Sequence, residues 1–407
     1  MISTKYNETF VTILLILFLV FNFVDRTYSN LSLIFLLLLS VIFSLSKRNN
    51  LEGESIRDIF VPFIQLFVLI TIAHIYHSAD ISELDNYSRL ILLLPIYLLL
   101  SSIKFNKDRF IKIIIYLSIF SLISSFIYYL SLEKVTFSER INRDFPNRLN
   151  PVSSTAITYG NLCMTLFILN ICAFVSKNRI QRKFIYIGLL SSLLSWSLSM
   201  TVGSIIGLGI FLAFLLYKGL IKFSIKNTFI AFSLLLVVSL TPLSNKFQLY
   251  IVNISELIQQ DNIYSSNMDN SIKERVFFLN TSLNIISNNK YTGVGFNKFE
   301  EIIKNKSRER NIIIEARDHP HNDFLDLGVK MGLAGIISLL AFYLLLYNFF
   351  RKRLDRNKSY FCISGVSVLT SQFGYMMTQT QFTHHQAVVF FIVLLLFFAS
   401  QSKLLEN

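Results

Sequence analysis

The residues best suited to chemistry form a short polar segment just before a long apolar stretch. This segment, D-H-P-H-N-D at 318–323, carries two of the six histidines in the 407-residue chain. Pro320 cannot continue a helix from the residue before it, so a helix is predicted to begin just after Pro320, with His321 and Asn322 in its first turn. A neutral imidazole with a pKa of about 6.5 accepts a proton from a hydroxyl, which makes His321 a candidate general base.

Four neighbours of His321 are candidates for supporting roles. His319 lies two residues away, off the helical face of His321, and is predicted to support the base rather than act as a second one. Asn322 is predicted to orient the imidazole or an acceptor hydroxyl. Asp323 and Asp326 either tune His321 or are solvated acids of a first helical turn. The remaining histidines are expected to be ordinary interfacial residues: His74, His77, His384 and His385.

Arginines outside the apolar stretches point to an anionic partner. Arg275 follows Lys273 near the start of a predicted helix, where anions are favoured, and a guanidinium can hold a phosphate through two hydrogen bonds. Three more arginines precede a later apolar stretch: Arg140, Arg143 and Arg148. The predicted ligand is a lipid phosphate or pyrophosphate, while contact with lipid headgroups explains the same composition equally well.

No familiar metal or nucleotide motif accompanies these residues. The sequence contains no D-x-D, H-E-x-x-H, G-x-S-x-G or Walker phosphate-binding pattern, so no metal site is predicted. Cys163, Cys172 and Cys362 lie in apolar stretches without ligand spacing and are expected to be small core residues.

The elements that must position these residues are apolar stretches of about 16 to 22 residues, the length that crosses a bilayer as a helix. The chain is 53% hydrophobic and 15% charged. The first stretch is expected to be a membrane helix rather than a cleaved signal peptide. The predicted membrane helices are 8–24, 29–46, 59–77, 88–103, 110–131, 156–176, 184–199, 203–221, 228–243, 326–349, 359–377 and 386–401.

Lysines and arginines concentrate in every second connection, in agreement with the positive-inside rule. The short connections 78–87, 200–202 and 378–385 contain neither residue. This alternation puts both termini in the cytoplasm and accounts for much of the net charge of +13. Nucleic-acid binding is therefore not expected. The basic connections lie around 47–57, 104–109, 177–183, 218–226 and 351–358.

Two long segments, 132–155 and 244–325, fall on the predicted outer side. Within the second, a capping box at 271–274 predicts a helix ending near Asn288, and a second helix is predicted from Asn297 to about Lys306. In the first of these helices Val276, Leu279, Leu283 and Ile286 follow helical spacing, so this apolar stripe is predicted to pack on the other helix or to lie on the membrane surface. The predicted fold is an all-α polytopic membrane protein of about twelve transmembrane helices, with units at 1–243, 244–325 and 326–407. The middle unit is an outer helical domain between helices 9 and 10.

Three stretches resemble one known family. H-N-x9-G-x-x-G, from His321 to Gly335, resembles the signature of the O-antigen ligases. R-x17-G-V-G-F, from Arg275 to Phe296, is similar to the outer-loop pattern of that family, and A-I-T-Y-G-N-L at 156–162 is similar to the start of one of its helices. One position departs from the pattern, because Val202 stands where the family carries an arginine.

The resemblance implies that a finished polysaccharide is transferred from undecaprenyl pyrophosphate to a sugar hydroxyl of lipid A–core. It implies inversion at the anomeric carbon, no metal or other cofactor, and a site at the periplasmic face of a bacterial inner membrane. His321 would be the base and Arg275 the main pyrophosphate contact, with Arg143 or Arg148 replacing the arginine missing at Val202. The candidate substrate-binding residues are Asn322, Arg148, Arg143 and His319.

Other functions fit parts of the same pattern. An O-antigen polymerase would use the same donor but elongate the chain on undecaprenyl pyrophosphate. A protein O-oligosaccharyltransferase of the same superfamily is a third reading. A transporter or lipid-binding protein without catalysis would need polar residues within the membrane helices, and it would not need a titratable group at His321.

Overall fold

A computed structural model of the protein describes residues 4–46, 53–131, 155–221, 270–309 and 318–404, with a few isolated positions between 236 and 248. All regular elements in these ranges are helical. A 3₁₀ turn, Ile81–Leu84, precedes α4. The α-helices are α1 (Thr4–Phe21), α2 (Arg26–Ser46), α3 (Gly53–Tyr76), α4 (Asp85–Leu92), α5 (Leu94–Ser101), α6 (Lys107–Ser131), α7 (Ala156–Val175), α8 (Arg182–Ser199), α9 (Ser204–Tyr217), α10 (Asn270–Asn288), α11 (Lys298–Glu309), α12 (Asp323–Met331), α13 (Leu333–Arg356), α14 (Tyr360–Met376) and α15 (His385–Lys403).

Seven stretches among the described residues are long and apolar enough to cross a membrane. They lie in α2, α3, the combined α4 and α5, α6, α7, α13 and α15, and α1 and α9 contain shorter apolar stretches. Eleven of the twelve predicted membrane helices coincide with helices of the structure. The other, 228–243, falls almost entirely outside the described residues. An all-α, multi-pass architecture is therefore confirmed for this part of the chain, and the count of twelve stays a prediction.

Two predicted helices are interrupted. The predicted 88–103 helix is divided at Leu93 into α4 and α5, with Pro95 in the first turn of α5. Proline fits that turn because an N–H group in the first turn of a helix has no partner within the helix, so its absence costs no hydrogen bond. The predicted 326–349 helix is likewise wrong as a single element, since α12 ends at Met331 and α13 begins at Leu333.

Gly332 makes the second break. Its φ of 67° and ψ of −151° lie in a region that is essentially reserved for glycine. A Cβ atom on Gly332 would come within 2.4 Å of the Lys290 carbonyl oxygen, which accepts a hydrogen bond from the Leu333 N–H at 2.8 Å. Just beyond the break, a Cβ atom on Gly335 would lie 2.2 Å from the Leu327 carbonyl oxygen. Both glycines of the motif therefore permit close backbone approach where α12 turns into α13.

The bundle is organised around α15, which is 94% buried along its apolar stretch, and α7, which is 83% buried. Aromatic rings fill the space beside α15, for example Phe110 stacked on Phe397 with ring centroids 4.4 Å apart. At one end of the bundle, a cleft of about 1060 Å³ is lined by residues of 104–107, 175–177, 219–220, 357–359 and 401–404. These basic connections therefore share one end. The orientation of that end towards the cytoplasm stays a prediction.

The helices of the 244–325 segment pack on α12 as a second, smaller core. Phe277, Phe278 and Ile286 of α10 are buried together with residues of α11 and with Val329 of α12. Within the predicted apolar stripe of α10, Ile286 is buried in this core, and Leu279 and Leu283 are exposed. Helical spacing identified an apolar side, but the larger phenylalanines took the side that faces α11 and α12.

Replacing Gly332 by alanine should destabilise the protein. We expect a loss of about 3 kcal/mol or more, because the strained backbone costs about 1–3 kcal/mol and the added Cβ collides with the Lys290 backbone. Thermal unfolding of the purified protein in detergent measures this. Gly209→Ala is the matched control, since its Cβ meets nothing within 4 Å and the change should shift stability by less than about 1 kcal/mol. Equal stability of the two variants would contradict the assigned role of Gly332.

Candidate functional site

His321 lies in the turn that precedes α12, at the end of the bundle opposite the basic cleft. Its φ is 55°, a left-handed conformation, so the prediction that it belongs to the first helical turn is wrong. The helix begins two residues later because Asn322 is the N-cap. The Nδ1 atom of His321 lies 3.2 Å from Oε1 of Gln379, and its ring centroid lies 6.0 Å from that of Phe278 in α10.

Asn322 holds the start of α12 in place. Its Oδ1 accepts hydrogen bonds from the N–H groups of Phe324 and Leu325 at 2.9 and 3.1 Å. Its Nδ2 donates to the Met377 carbonyl oxygen at 3.0 Å, beyond the end of α14. The amide therefore fixes the backbone next to His321 and ties it to the 377–384 connection. Its predicted contact with an acceptor hydroxyl stays a prediction.

His319 packs directly against His321. Their ring centroids are 4.6 Å apart in an edge-to-face arrangement, and the His319 ring is 6.0 Å from that of His384. His319 is buried, and its Nδ1 has no hydrogen-bond partner among the described residues. A buried imidazole nitrogen without a partner is costly unless a ligand supplies one. This placement agrees with a supporting or substrate-contacting residue.

Asp323 and Asp326 are both almost fully buried, so the reading of them as solvated acids is wrong. Asp323 accepts hydrogen bonds from the backbone N–H groups of Gln381 at 2.7 Å and Phe382 at 3.3 Å. Burial, and then the neighbouring Asp326, raise the pKa of Asp323 well above its usual range. These two hydrogen bonds hold the 377–384 connection, and neither of them involves His321.

Asp326 belongs to a buried ionic cluster that the sequence analysis missed. The Lys330 Nζ lies 2.7 Å from Asp326 Oδ2 and 3.3 Å from the hydroxyl of Tyr87 in α4, and that hydroxyl lies 3.3 Å from the same carboxylate. Lys330 also sits 5.6 Å from the ring centroid of Phe296. Burial disfavours the charged lysine, but the Asp326 charge outweighs it and the pKa of Lys330 is raised. The sequence did contain a signal for this cluster, namely an acid and a lysine four residues apart on an apolar helix.

The G-V-G-F turn closes the other end of α12. The N–H groups of Val294 and Gly295 donate to the carbonyl oxygens of Val329 and Lys330 at 2.8 and 3.3 Å. Phe296 then covers the buried lysine. The turn thus satisfies carbonyl groups that a helix C-terminus leaves unpaired.

Arg275 lies in α10, on the helix that faces His321. It is half-buried and precedes Phe278 by three residues, which puts both side chains on the same side of the helix. Because the Phe278 ring contacts the imidazole, Arg275 lies one helical turn away from that contact. The structure therefore places α10, which carries the predicted phosphate-binding residue Arg275, next to the predicted base, His321.

The remaining predicted arginines cannot be compared in the same way. Arg140, Arg143 and Arg148 lie outside the described residues. Val202 is half-buried, beside Thr201. The Thr201 hydroxyl donates to the Ala156 carbonyl oxygen at 3.0 Å, at the start of α7. The position that carries an arginine in the family pattern thus lies next to the point where the 132–155 segment enters the bundle.

Gln379 and His384 complete the surroundings of His321, although the sequence analysis assigned His384 to the interface and did not single out Gln379. Nε2 of Gln379 makes a close contact with Nε2 of His384. Burial, and then the neighbouring His319, lower the pKa of His384 to about 4. His384 is therefore neutral at neutral pH. The connection 378–385 is uncharged, and nothing in its sequence revealed its contact with a segment about sixty residues away.

Two comparisons with known proteins bear on this site. The family model described as O-antigen ligase matches residues 184–340, a range that includes α8, α9, α10, α12 and His321. An uncharacterized protein of Haemophilus influenzae is 24% identical over 358 residues, covering 84% of this chain and 85% of its own length. The family match confirms the resemblance found in the sequence and supports a membrane glycosyltransferase-like function of the O-antigen ligase or polymerase type.

The buried pair of Asp326 and Lys330 should be strongly coupled. Asp326→Leu or Lys330→Met alone should destabilise the protein by about 3 kcal/mol, because each leaves an uncompensated buried charge. The double variant Asp326→Leu/Lys330→Met should lose clearly less than the sum of the two single losses.

Chemical or thermal unfolding of the four proteins in detergent measures this coupling. The exposed pair of Glu300 and Lys304, 2.6 Å apart, is the control, and Lys304→Met should change stability by less than about 1 kcal/mol. Additive losses at 326 and 330 would contradict the coupling.

Proposed function

We propose that this protein transfers a polysaccharide from undecaprenyl pyrophosphate to a sugar hydroxyl of lipid A–core, and the match of residues 184–340 to the O-antigen ligase family model supports this proposal. The observation that supports it most directly is the position of His321. The imidazole lies at one end of an apolar bundle, against the helix that carries Arg275 and beside a second imidazole, His319. In the proposed arrangement this end faces the periplasm of a bacterial inner membrane.

In the proposed reaction, His321 takes the proton of the acceptor hydroxyl through one ring nitrogen. The acceptor oxygen then forms a bond to the anomeric carbon of the donor, and the bond between that carbon and the pyrophosphate oxygen breaks. The electron pair leaves with the pyrophosphate, whose charge Arg275 stabilises. Attack from the side opposite the leaving group inverts the anomeric centre.

The other residues of the site have positioning roles in this proposal. Nδ1 of buried His319, which has no hydrogen-bond partner among the residues that the structure describes, offers a hydrogen bond to a hydroxyl of the acceptor sugar. Asn322 and Asp323 tie the start of α12, next to His321, to the backbone of the 377–384 connection. Arg143 and Arg148 are proposed as further pyrophosphate contacts. The apolar helices hold two lipid-anchored substrates side by side, which lowers the entropic cost of their encounter.

An O-antigen polymerase is the second candidate, and Val202, in place of the arginine of the ligase pattern, favours it. Deleting the gene distinguishes the two. Loss of a ligase should leave long polymer on the lipid carrier and lipopolysaccharide without O-antigen. Loss of a polymerase should leave lipopolysaccharide that carries a single repeat unit. Gel analysis of both lipid fractions measures this, and unchanged fractions would contradict both functions.

His321→Asn should reduce transfer by roughly 10²- to 10⁴-fold, the usual contribution of a general base. Asparagine removes the imidazole but tolerates the left-handed backbone at this position, so the folded protein should be retained. Transfer from purified lipid-linked donor to lipid A–core, normalised to folded protein, is the measurement. His77→Gln is the control, since glutamine keeps a donor towards the Thr292 carbonyl oxygen. Full activity of His321→Asn would remove His321 from the mechanism.

A further inference from the structure

A chain of polar contacts runs from His321 through Gln379 to His384. Nδ1 of His321 meets the amide oxygen of Gln379, and the amide nitrogen of Gln379 meets Nε2 of His384. Gln379 is buried, with only 3% of its surface exposed. It sits in the connection whose backbone is held by Asn322 and Asp323 on either side of the amide. The amide is therefore confined between two imidazoles.

The donor and acceptor atoms of the three side chains set the direction of these hydrogen bonds. An amide nitrogen only donates hydrogen bonds, and an amide oxygen only accepts them. The nitrogen of Gln379 therefore donates to Nε2 of His384, which must be a neutral imidazole with its proton on Nδ1. The oxygen of Gln379 then accepts from His321, so the proton of the neutral His321 ring sits on Nδ1.

We propose that Gln379, oriented by neutral His384, is a positioning residue that fixes the tautomer of His321 with the proton on Nδ1 and the lone pair on Nε2. This inference rests on the proposed function, in which His321 is the base. Only the ring nitrogen with a lone pair takes a proton from a hydroxyl. If the amide of Gln379 were reversed, its nitrogen would donate to Nδ1 of His321 and the proton of His321 would sit on Nε2. Nε2 could then not take the proton of the acceptor hydroxyl.

The direction of the amide depends on whether Nε2 of His384 carries a proton. An Nε2–H group, in the imidazolium or in the other neutral tautomer, would donate to the amide oxygen of Gln379 and reverse the order of donors and acceptors. The buried position of His384 and the neighbouring His319 lower the pKa of His384 to about 4, so the neutral form holds over the physiological range. The titratable and charged groups near the pair come from three segments. Asp318, His319 and Asp323 lie beside His321 in sequence, Arg275 lies one helical turn from Phe278 on α10, and His384 itself lies in the 377–384 connection.

The tautomer can be measured without substrate. The full-length protein is labelled with nitrogen-15 in its histidines, and the His321 signals are those that His321→Asn removes. The proposal expects His321 to be protonated on Nδ1 when neutral. In Gln379→Met, which keeps the size of the side chain but removes the amide, the signals should shift towards a mixture of tautomers. A proton on Nε2 in the unaltered protein would overturn the proposal.

Gln379→Glu supplies a second test through pH dependence. A carboxylate that accepts from Nδ1–H favours the imidazolium, so it should raise the pKa of His321 by about one unit or more. A base with a raised pKa stays protonated up to a higher pH. The acidic limb of kcat should therefore move to higher pH by about the same amount, and the nitrogen-15 titration of His321 should move with it.

Gln379→Met should lower kcat about tenfold with little change in KM. Gln372→Met is the matched control, because Gln372 is buried on α14, with Gln381 as its neighbour at 3.5 Å, and should leave the acidic limb where it is. A merely structural role of Gln379 would lower the yield of folded protein and leave the tautomer and the acidic limb unchanged, and that result would overturn the proposal.

The two proposals fail in different ways. If His321→Asn retains full transfer, the proposed catalytic role fails, whatever the nitrogen-15 spectra show. If His321→Asn is inactive while Gln379→Glu moves neither the titration of His321 nor the acidic limb, the role of Gln379 fails and the catalytic role stands.

Discussion

The carboxylate of Asp323, buried at the start of α12, accepts hydrogen bonds from two backbone N–H groups of the 377–384 connection. This contact joins the turn that carries His321 to a segment that follows α14, and Asn322 strengthens it through the Met377 carbonyl oxygen. A buried carboxylate is costly unless its lone pairs are satisfied. The geometry of His319, His321, Gln379 and His384 follows from this tie, because it fixes the two backbones that carry them.

The far end of α12 is secured by a different kind of interaction. The turn that contains Gly293 and Gly295 pairs its N–H groups with the last carbonyl groups of the helix, and Gly332 breaks the helix there. Lys330 and Asp326 lie between the two ends and bind Tyr87 of α4. A helix of nine residues is too short to be stable alone. It persists because its neighbours satisfy the polar groups of both ends and of the middle.

The site therefore combines a rigid frame with a partly polar surface. The second core formed by α10, α11 and α12 packs Phe278 against His321, which sets the distance between that imidazole and the helix of Arg275. Polar residues are present within the bundle, among them buried Asn170 and Gln372. Asn170 donates a hydrogen bond to the Ser118 hydroxyl of α6 at 2.9 Å, and Gln372 contacts Gln381 at 3.5 Å. The transport alternative gains no support from them, because these contacts hold helices together.

The sequence by itself determined the helical class, the positions of most helices, the polar segment around His321 and the resemblance to the O-antigen ligases. Runs of apolar residues and local motifs carry that information, because hydrophobic length and capping are properties of neighbouring residues. Only the tertiary structure decided that His321 precedes the helix rather than opening it, that α12 and α13 are separate, and that Gln379 and His384 complete the site. Each of these depends on contacts between segments far apart in the chain, and the partner of a single polar residue cannot be read from spacing.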